Sequence, residues 1–129
     1  MSKIYHSSHR AVQQQFNTQA LADQIEAAVV REELSEDQSQ FITSQKMFFL
    51  STIDESNRPT VSYKGGEAGF VRILNKEQLM FPSYDGNGMF YSMGNIFANP
   101  EIGMLFVDFE TPNRLRIQGK SELVNDGPL

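Results

Sequence analysis

The first third of the chain repeats its apolar residues with the period of a helix. They recur at steps of four or five residues, with charged side chains between them, at Leu21, Ile25, Val29 and Leu34. This spacing predicts an amphipathic helix capped at Asn17 or Thr18. The run Ser35-Glu36-Asp37-Gln38 has the pattern of a capping box, which predicts a second, short helix that ends near Ser44.

From Met47 the pattern changes to that of β-strands. Runs of β-branched, aromatic and alternating residues, bounded by clusters of turn formers, predict strands at 47–53, 59–64, 70–74, 78–82, 102–109 and 115–124. Apolar residues at helical spacing after Met89, closed by Asn99-Pro100, predict a helix between the fourth and fifth strands. Short strands joined by tight turns favour an antiparallel barrel or sandwich. We therefore expect a helical leader, residues 1–45, packed on a mainly β unit, residues 46–129.

Composition excludes several classes of protein. The chain has 129 residues with a net charge of −5, which opposes the phosphate attraction that drives nucleic-acid binding. It has no cysteine, so disulfides, thiolate nucleophiles, zinc ribbons and iron–sulfur clusters are excluded together. Neither a membrane-spanning apolar run nor a signal sequence is found, and we expect a cytoplasmic protein with no membrane partner.

Two metal-site patterns fail on spacing. Asp85-Gly86-Asn87-Gly88 resembles the start of a calcium loop, but the twelfth position, which should be a glutamate, is Ile96. His6 and His9 have a spacing that ligands use on a helix, but no further ligands accompany them. We interpret the two histidines as solvated side chains and expect no metal site. Without another histidine, a serine–histidine hydrolase is not expected either.

Hydroxyl groups, amides and one lysine gather at strand ends and at a helix start. Ser62 and Lys64 share one strand face, Ser83 ends another strand, and Gly86–Gly88 leads into the helix near Met89. Helix N-termini offer unpaired amides and a partial positive charge, and glycines let an anion approach them. This combination suits a phosphate group. The alternative is a solvent-exposed strand lysine beside a loop that needs glycine only for its backbone angles.

Three longer motifs resemble one family. They are FLSTIDESNRPTVSYKGG at residues 49–66, YDGNGM at 84–89 and GNIFANP at 94–100. Together they resemble the pyridoxamine 5′-phosphate oxidase-like flavin-nucleotide-binding proteins, and the resemblance continues through residues 102–119. It implies an antiparallel FMN-binding split β-barrel, mainly β with flanking helices. It also implies a homodimer with the flavin at the subunit interface.

The resemblance implies a set of FMN contacts. Lys64 takes the position of the family's phosphate-binding lysine, and Arg114 lies where a side chain from the neighbouring subunit can reach the isoalloxazine ring. Tyr91 and Ser92 stand where the oxidases carry an arginine–lysine pair, which leaves more of the phosphate charge to Lys64. A solvated strand face remains the alternative for Arg114. The expected cofactor-binding residues are Thr60, Val61, Ser62, Lys64, Ser83, Asn87, Gly88, Met89, Tyr91, Ser92, Asn95 and Arg114.

The end of the chain bears on activity. The true oxidases place a substrate-binding arginine and histidine in a C-terminal segment, which this barrel is too short to include, so vitamin B6 oxidation is not expected. The resemblance implies FMN-dependent two-electron transfer with an unidentified small molecule. The alternative is a non-catalytic flavin or haem carrier of the same fold. Asn125-Asp126-Gly127 is a hairpin-turn signal without a following strand before Leu129, and we expect a second subunit to cover the open sheet edge.

Overall fold

A computed structural model describes residues 2–29, 32–83 and 91–124. The chain divides into two compact units, Met1–Leu34 and Ser35–Leu129. The helices of the described part are α1 (Ser7–Phe16), α2 (Gln19–Val29), α3 (Glu36–Ser44) and α4 (Tyr91–Ala98). The strands are β1 (Met47–Ile53), β2 (Pro59–Gly65), β3 (Arg72–Asn75), β4 (Gln78–Met80), β5 (Glu101–Val107) and β6 (Arg114–Lys120).

The first unit contains a helix that the sequence pattern does not predict. Helix α1 is mostly polar, and its N-terminus is closed by a capping box in which Nδ1 of His9 accepts the backbone N–H of His6 at 2.8 Å. Its C-terminus ends at Asn17, which adopts the left-handed conformation with φ of 57°. An ion pair between Arg10 and Asp23 joins α1 to α2. Helix α1 therefore depends on its caps and on α2 rather than on an apolar stripe.

The second unit is mainly antiparallel β-sheet with flanking helices. Strands β1, β2, β5 and β6 form a four-stranded sheet in the order β2-β1-β5-β6, and β3 pairs with β4 in a separate hairpin. Within the described residues this sheet is not closed into a barrel, and β2 and β6 are its edges. All six predicted strands are present, together with the capping box of Ser35 and Gln38 that begins α3. The Asn125-Asp126-Gly127 turn lies outside the described residues.

Helix α3 belongs to the same compact unit as the sheet. The unit begins at Ser35, whereas the sequence analysis places residues 35–45 with the helical leader. The reason is Ile42, which is fully buried and lies on a helix that packs on β3. Two adjacent apolar residues in a short polar helix, Phe41 and Ile42, are a weak sequence signal, because helices depend on tertiary packing more than on propensity.

The core lies on one face of the four-stranded sheet. The ring of Phe48 lies 5.8 Å from that of Phe70, 4.9 Å from that of Phe81 and 5.1 Å from that of Phe106. These aromatic contacts join β1 and β5 to the segments on either side of the β3–β4 hairpin. Leu50 is fully buried beside them on the same face of β1.

Strand β2 reverses the usual relation between polarity and burial. Val61 and Tyr63 are 73% and 65% exposed, whereas Thr60, Ser62 and Lys64 on the other face are partly buried. The period-two alternation is as predicted. The polar side chains, however, face the interior of the unit, so this end of the sheet carries an internal polar surface.

The turn between β5 and β6 is held by Asp108. Its carboxylate accepts the backbone N–H of Glu110 at 3.0 Å and the hydroxyl of Thr111 at 2.9 Å. The bond from Glu110, followed by that from Thr111, lowers the pKa of Asp108 below its ordinary value of 3.8. Because folding favours the ionised carboxyl, this stabilisation is present above pH 3.8 and is lost as pH falls through the lowered pKa.

We predict that Phe48→Ala lowers the free energy of unfolding by about 3–5 kcal/mol, because it leaves a cavity among three aromatic rings. Chemical denaturation measures the change. Phe109→Ala is the matched control, since Phe109 is 76% exposed and its truncation is expected to cost at most about 0.5 kcal/mol. Equal losses in the two variants would show that the aromatic cluster is not the core.

Candidate functional site

The candidate site lies where α4, which packs on β1, reaches the polar face of β2. Ser62 on β2 and Ser92 on α4 approach each other with their hydroxyl oxygens 3.2 Å apart. Ser92 is 30 positions further along the chain, so the contact exists only once the sheet and the helix have assembled. A hydroxyl has one proton to donate. One serine therefore donates to the other, and the second keeps its O–H for another acceptor.

A second polar cluster lies beside this pair and is more deeply buried. The Oγ1 atoms of Thr52 and Thr60 are 2.6 Å apart, and Nδ2 of Asn95 donates to Oγ1 of Thr52 at 3.0 Å. Thr60 also donates to the backbone carbonyl of Thr52 at 3.3 Å. Three elements are joined in this way: β1 through Thr52, β2 through Thr60 and α4 through Asn95. No buried side-chain nitrogen or oxygen of the described residues lacks a hydrogen-bond partner.

Lys64 supplies the cation of the polar face. It follows Ser62 by two residues, so both side chains lie on the same side of β2. Its register partner on β1 is Phe48, at the centre of the aromatic cluster. Within the described residues Lys64 makes no ion pair or side-chain hydrogen bond, although it is partly buried. An ammonium has three N–H donors, and none of them is bonded to a side chain in this part of the protein.

The structure brings together part of the expected residue set. Hydrogen bonds link Thr60, Ser62, Ser92 and Asn95 in two clusters, and Lys64 lies on the same face of β2.

Other expected residues lie apart from this surface. The side chain of Val61 is on the opposite face of β2, Ser83 is exposed, and Tyr91 is 61% exposed at the start of α4. Arg114 begins β6, at the other edge of the sheet from β2. Asn87, Gly88 and Met89 lie outside the described residues.

Sequence reasoning missed Thr52. It stands within an apolar strand, where a threonine is an ordinary β-former, and nothing local distinguishes it from its neighbours. Its alternation with Phe48 and Leu50 gives it an inward position. A polar residue at an inward position is the signal that could have identified it, because a buried hydroxyl requires partners.

The donor set fits the phosphate of a flavin nucleotide. A phosphate needs a cation and short O–H or N–H donors, and Lys64 together with the serine pair offers both kinds. No carboxylate of the described residues pairs with the lysine and competes for it.

Among these residues, no group of three or more histidine, aspartate or glutamate side chains could hold a metal ion. None of the described helices combines the length and hydropathy required to cross a membrane.

Comparison with known proteins identifies the family of the chain. The family model described as pyridoxamine 5′-phosphate oxidase matches residues 34–129, which include all of the second unit. No curated protein and no solved structure matches the chain at a significant level. Members of the matched family typically bind flavin. The chain therefore belongs to the pyridoxamine 5′-phosphate oxidase family of flavin-binding, oxidoreductase-like proteins.

Proposed function

We propose that the protein binds FMN and transfers two electrons between this flavin and a small molecule. The observation that carries the proposal is the partly buried Lys64, which pairs with no described residue and lies on the same face of β2 as the Ser62–Ser92 hydroxyl pair, in a chain whose family binds flavin. Among flavins, FMN and not riboflavin has the dianionic phosphate that such a donor set selects. The substrate of the reaction is left open.

The charge of Lys64 supports a phosphate at this position. Lys64 is partly buried, and no carboxylate of the described residues pairs with its ammonium. A bound phosphate would provide that partner, and charge-assisted hydrogen bonds are about twice as strong as neutral ones. The chain has a net charge of −5, so most of its surface repels an anion. A local cation such as Lys64 attracts the anion to its own position.

The serine pair would complete the phosphate contact. One of the two hydroxyls is free to donate, and its direction is fixed because its oxygen already accepts from the other serine. By the family resemblance, Tyr91 and Ser92 stand where the oxidases carry an arginine–lysine pair. Lys64 would then be the main cation at the phosphate, and we expect this protein to bind the phosphate more weakly than those enzymes do.

The bound flavin would supply the redox chemistry, accepting or releasing two electrons with a hydride at the ring. This chain's residues would hold and orient it. The ring would lie along β2, against backbone groups of Val61 and Ser62, because the side chain of Val61 points to the opposite face. The hydroxyl of Thr60 already forms hydrogen bonds with Thr52. Thr60 would therefore help to hold β2 in place rather than donate a hydrogen bond to the flavin.

We also propose a homodimer formed through the outer face of the four-stranded sheet. Phe49 of β1 pairs in register with Tyr63 of β2 on one side and with Leu105 of β5 on the other. Val61, in the same row of β2 as Tyr63, is also exposed. An apolar surface of this kind, continuous across three strands, is typical of a protein–protein interface.

The position of Arg114 supports the same arrangement. Three strand spacings, about 14 Å in total, separate β2 from β6. Arg114 lies on the outer face of β6. It pairs in register with Val107, which lies on the same face of β5 as Leu105. Within one chain it is therefore remote from the polar face of β2. If Arg114 contacts the flavin ring, as the family resemblance implies, it does so from a second copy.

The visible spectrum of the protein purified without added cofactor tests the function as a whole. We expect the absorption bands of an oxidised flavin, and extraction should release FMN rather than riboflavin. A Soret band would instead identify a haem carrier. Anaerobic photoreduction followed by oxygen or candidate acceptors separates an enzyme from a carrier. Reoxidation no faster than that of free FMN with every acceptor would contradict the proposed electron transfer.

We predict that Lys64→Ala weakens FMN binding by about 1.5–3 kcal/mol, the range for a hydrogen bond to a charged group. Fluorescence titration measures the dissociation constant. Lys76→Ala is the matched control. Lys76 is exposed in the β3–β4 turn, and its substitution removes the same charge at a position away from the candidate site. If both variants bind FMN with the same affinity, the phosphate does not lie at Lys64.

We predict that Val61→Glu converts the dimer to a monomer, since it places a charge on the apolar outer face at a side chain that is exposed within one chain. Light scattering after size-exclusion chromatography measures the mass. Leu74→Glu serves as the control: Leu74 is 57% exposed, but it lies on the β3–β4 hairpin. A wild-type monomer, or a dimer that survives Val61→Glu, would remove this interface.

A further inference from the structure

Thr52 is a polar residue in an otherwise apolar row. On the inner face of β1 it follows Phe48 and Leu50, and only 1% of its surface is exposed. Valine would have nearly the same shape there and no hydroxyl to desolvate. The hydroxyl is therefore retained at a cost that its hydrogen bonds must offset.

The partners of Thr52 determine the direction of each hydrogen bond. The amide nitrogen of Asn95 can only donate, so Oγ1 of Thr52 accepts from it. Thr52 then gives its own proton to Oγ1 of Thr60, and Thr60 gives its proton to the carbonyl of Thr52. The chain of donors thus runs from α4 through β1 to β2. Each hydroxyl proton in it is used once.

The same helix presents Ser92 to the candidate phosphate site. Ser92 and Asn95 are three positions apart on α4, so they lie on one face of the helix, and both are buried. Thr60 and Ser62 are likewise neighbours on one face of β2. The hydrogen bond from Asn95 to Thr52 consequently sets the rotation of α4 about its axis and its position along that axis. These two determine where Ser92 lies relative to Ser62.

We propose that Thr52 is a positioning residue for the flavin phosphate. Through Asn95 and Thr60 it holds α4 against β2, and this contact keeps the Ser62–Ser92 pair assembled beside Lys64. The inference rests on the proposed function, because it concerns the same phosphate site. It adds a residue that touches no ligand and that the sequence pattern does not indicate.

The test compares FMN with riboflavin, which has the same ring and ribityl chain but no phosphate. Thr52→Val keeps the shape of the side chain and removes its hydroxyl. We expect FMN affinity to fall about five- to tenfold, as for the loss of one buried hydrogen bond, while riboflavin affinity stays within about twofold. Thr52→Ser restores the hydroxyl and should restore the preference for FMN.

Ile42→Val is the control for stability. Ile42 is fully buried on α3, so its truncation lowers the melting temperature without touching α4 or β2. This variant should bind FMN and riboflavin in the wild-type ratio. A second readout needs no ligand: amide hydrogen exchange in residues 91–98 should be faster in Thr52→Val than in Ile42→Val.

Four outcomes would overturn the inference. An equal loss of FMN and riboflavin affinity in Thr52→Val would reveal a general structural role. Unchanged exchange in α4 would break the link between Thr52 and the helix. Unchanged FMN affinity in Thr52→Val, with a loss in Lys64→Ala, would leave the phosphate site intact and remove only Thr52 from it. A wild-type protein that binds FMN no more tightly than riboflavin would remove the phosphate site itself.

Discussion

The contact between α4 and β2 is the constraint on which the candidate site depends. Ser92 bonds directly to Ser62 of β2, and Asn95 bonds to Thr52 of β1, which in turn bonds to Thr60 of β2. Hydrogen bonds are directional, so they fix the rotation of the helix more closely than apolar packing would. An apolar face on β2 would hold the helix as well but would present no donors to a ligand.

The two faces of the four-stranded sheet differ in character. Its inner face packs the aromatic cluster around Phe48 at the centre and carries the polar surface at the β2 edge. On its outer face Tyr63, Phe49 and Leu105 form an apolar row across β2, β1 and β5, where a folded monomer would normally be polar. The reversed polarity of β2 leaves hydroxyls and a lysine on its inner face and apolar side chains on its outer face.

Prediction from sequence succeeded where the signal is local. The strand runs from Met47 onwards have a clear period and strong turn formers, and the Ser35–Gln38 box marks the start of α3. Helix α1 was missed because its stability comes from the His6–His9 cap and from Arg10 on Asp23, neither of which leaves an apolar period. Helix α3 belongs to the same compact unit as the sheet and not to the helical leader. Its one fully buried side chain is Ile42.

The sequence by itself determined the family, the antiparallel β character and the candidate donors Ser62, Lys64, Ser92 and Asn95, because motif and alternation are properties of neighbouring residues. Tertiary structure decided which face of β2 is buried, since alternation defines two faces and does not say which of them meets α4. It also decided the role of Thr52. Its partner Asn95 lies 43 positions away, and only the folded sheet brings the two together.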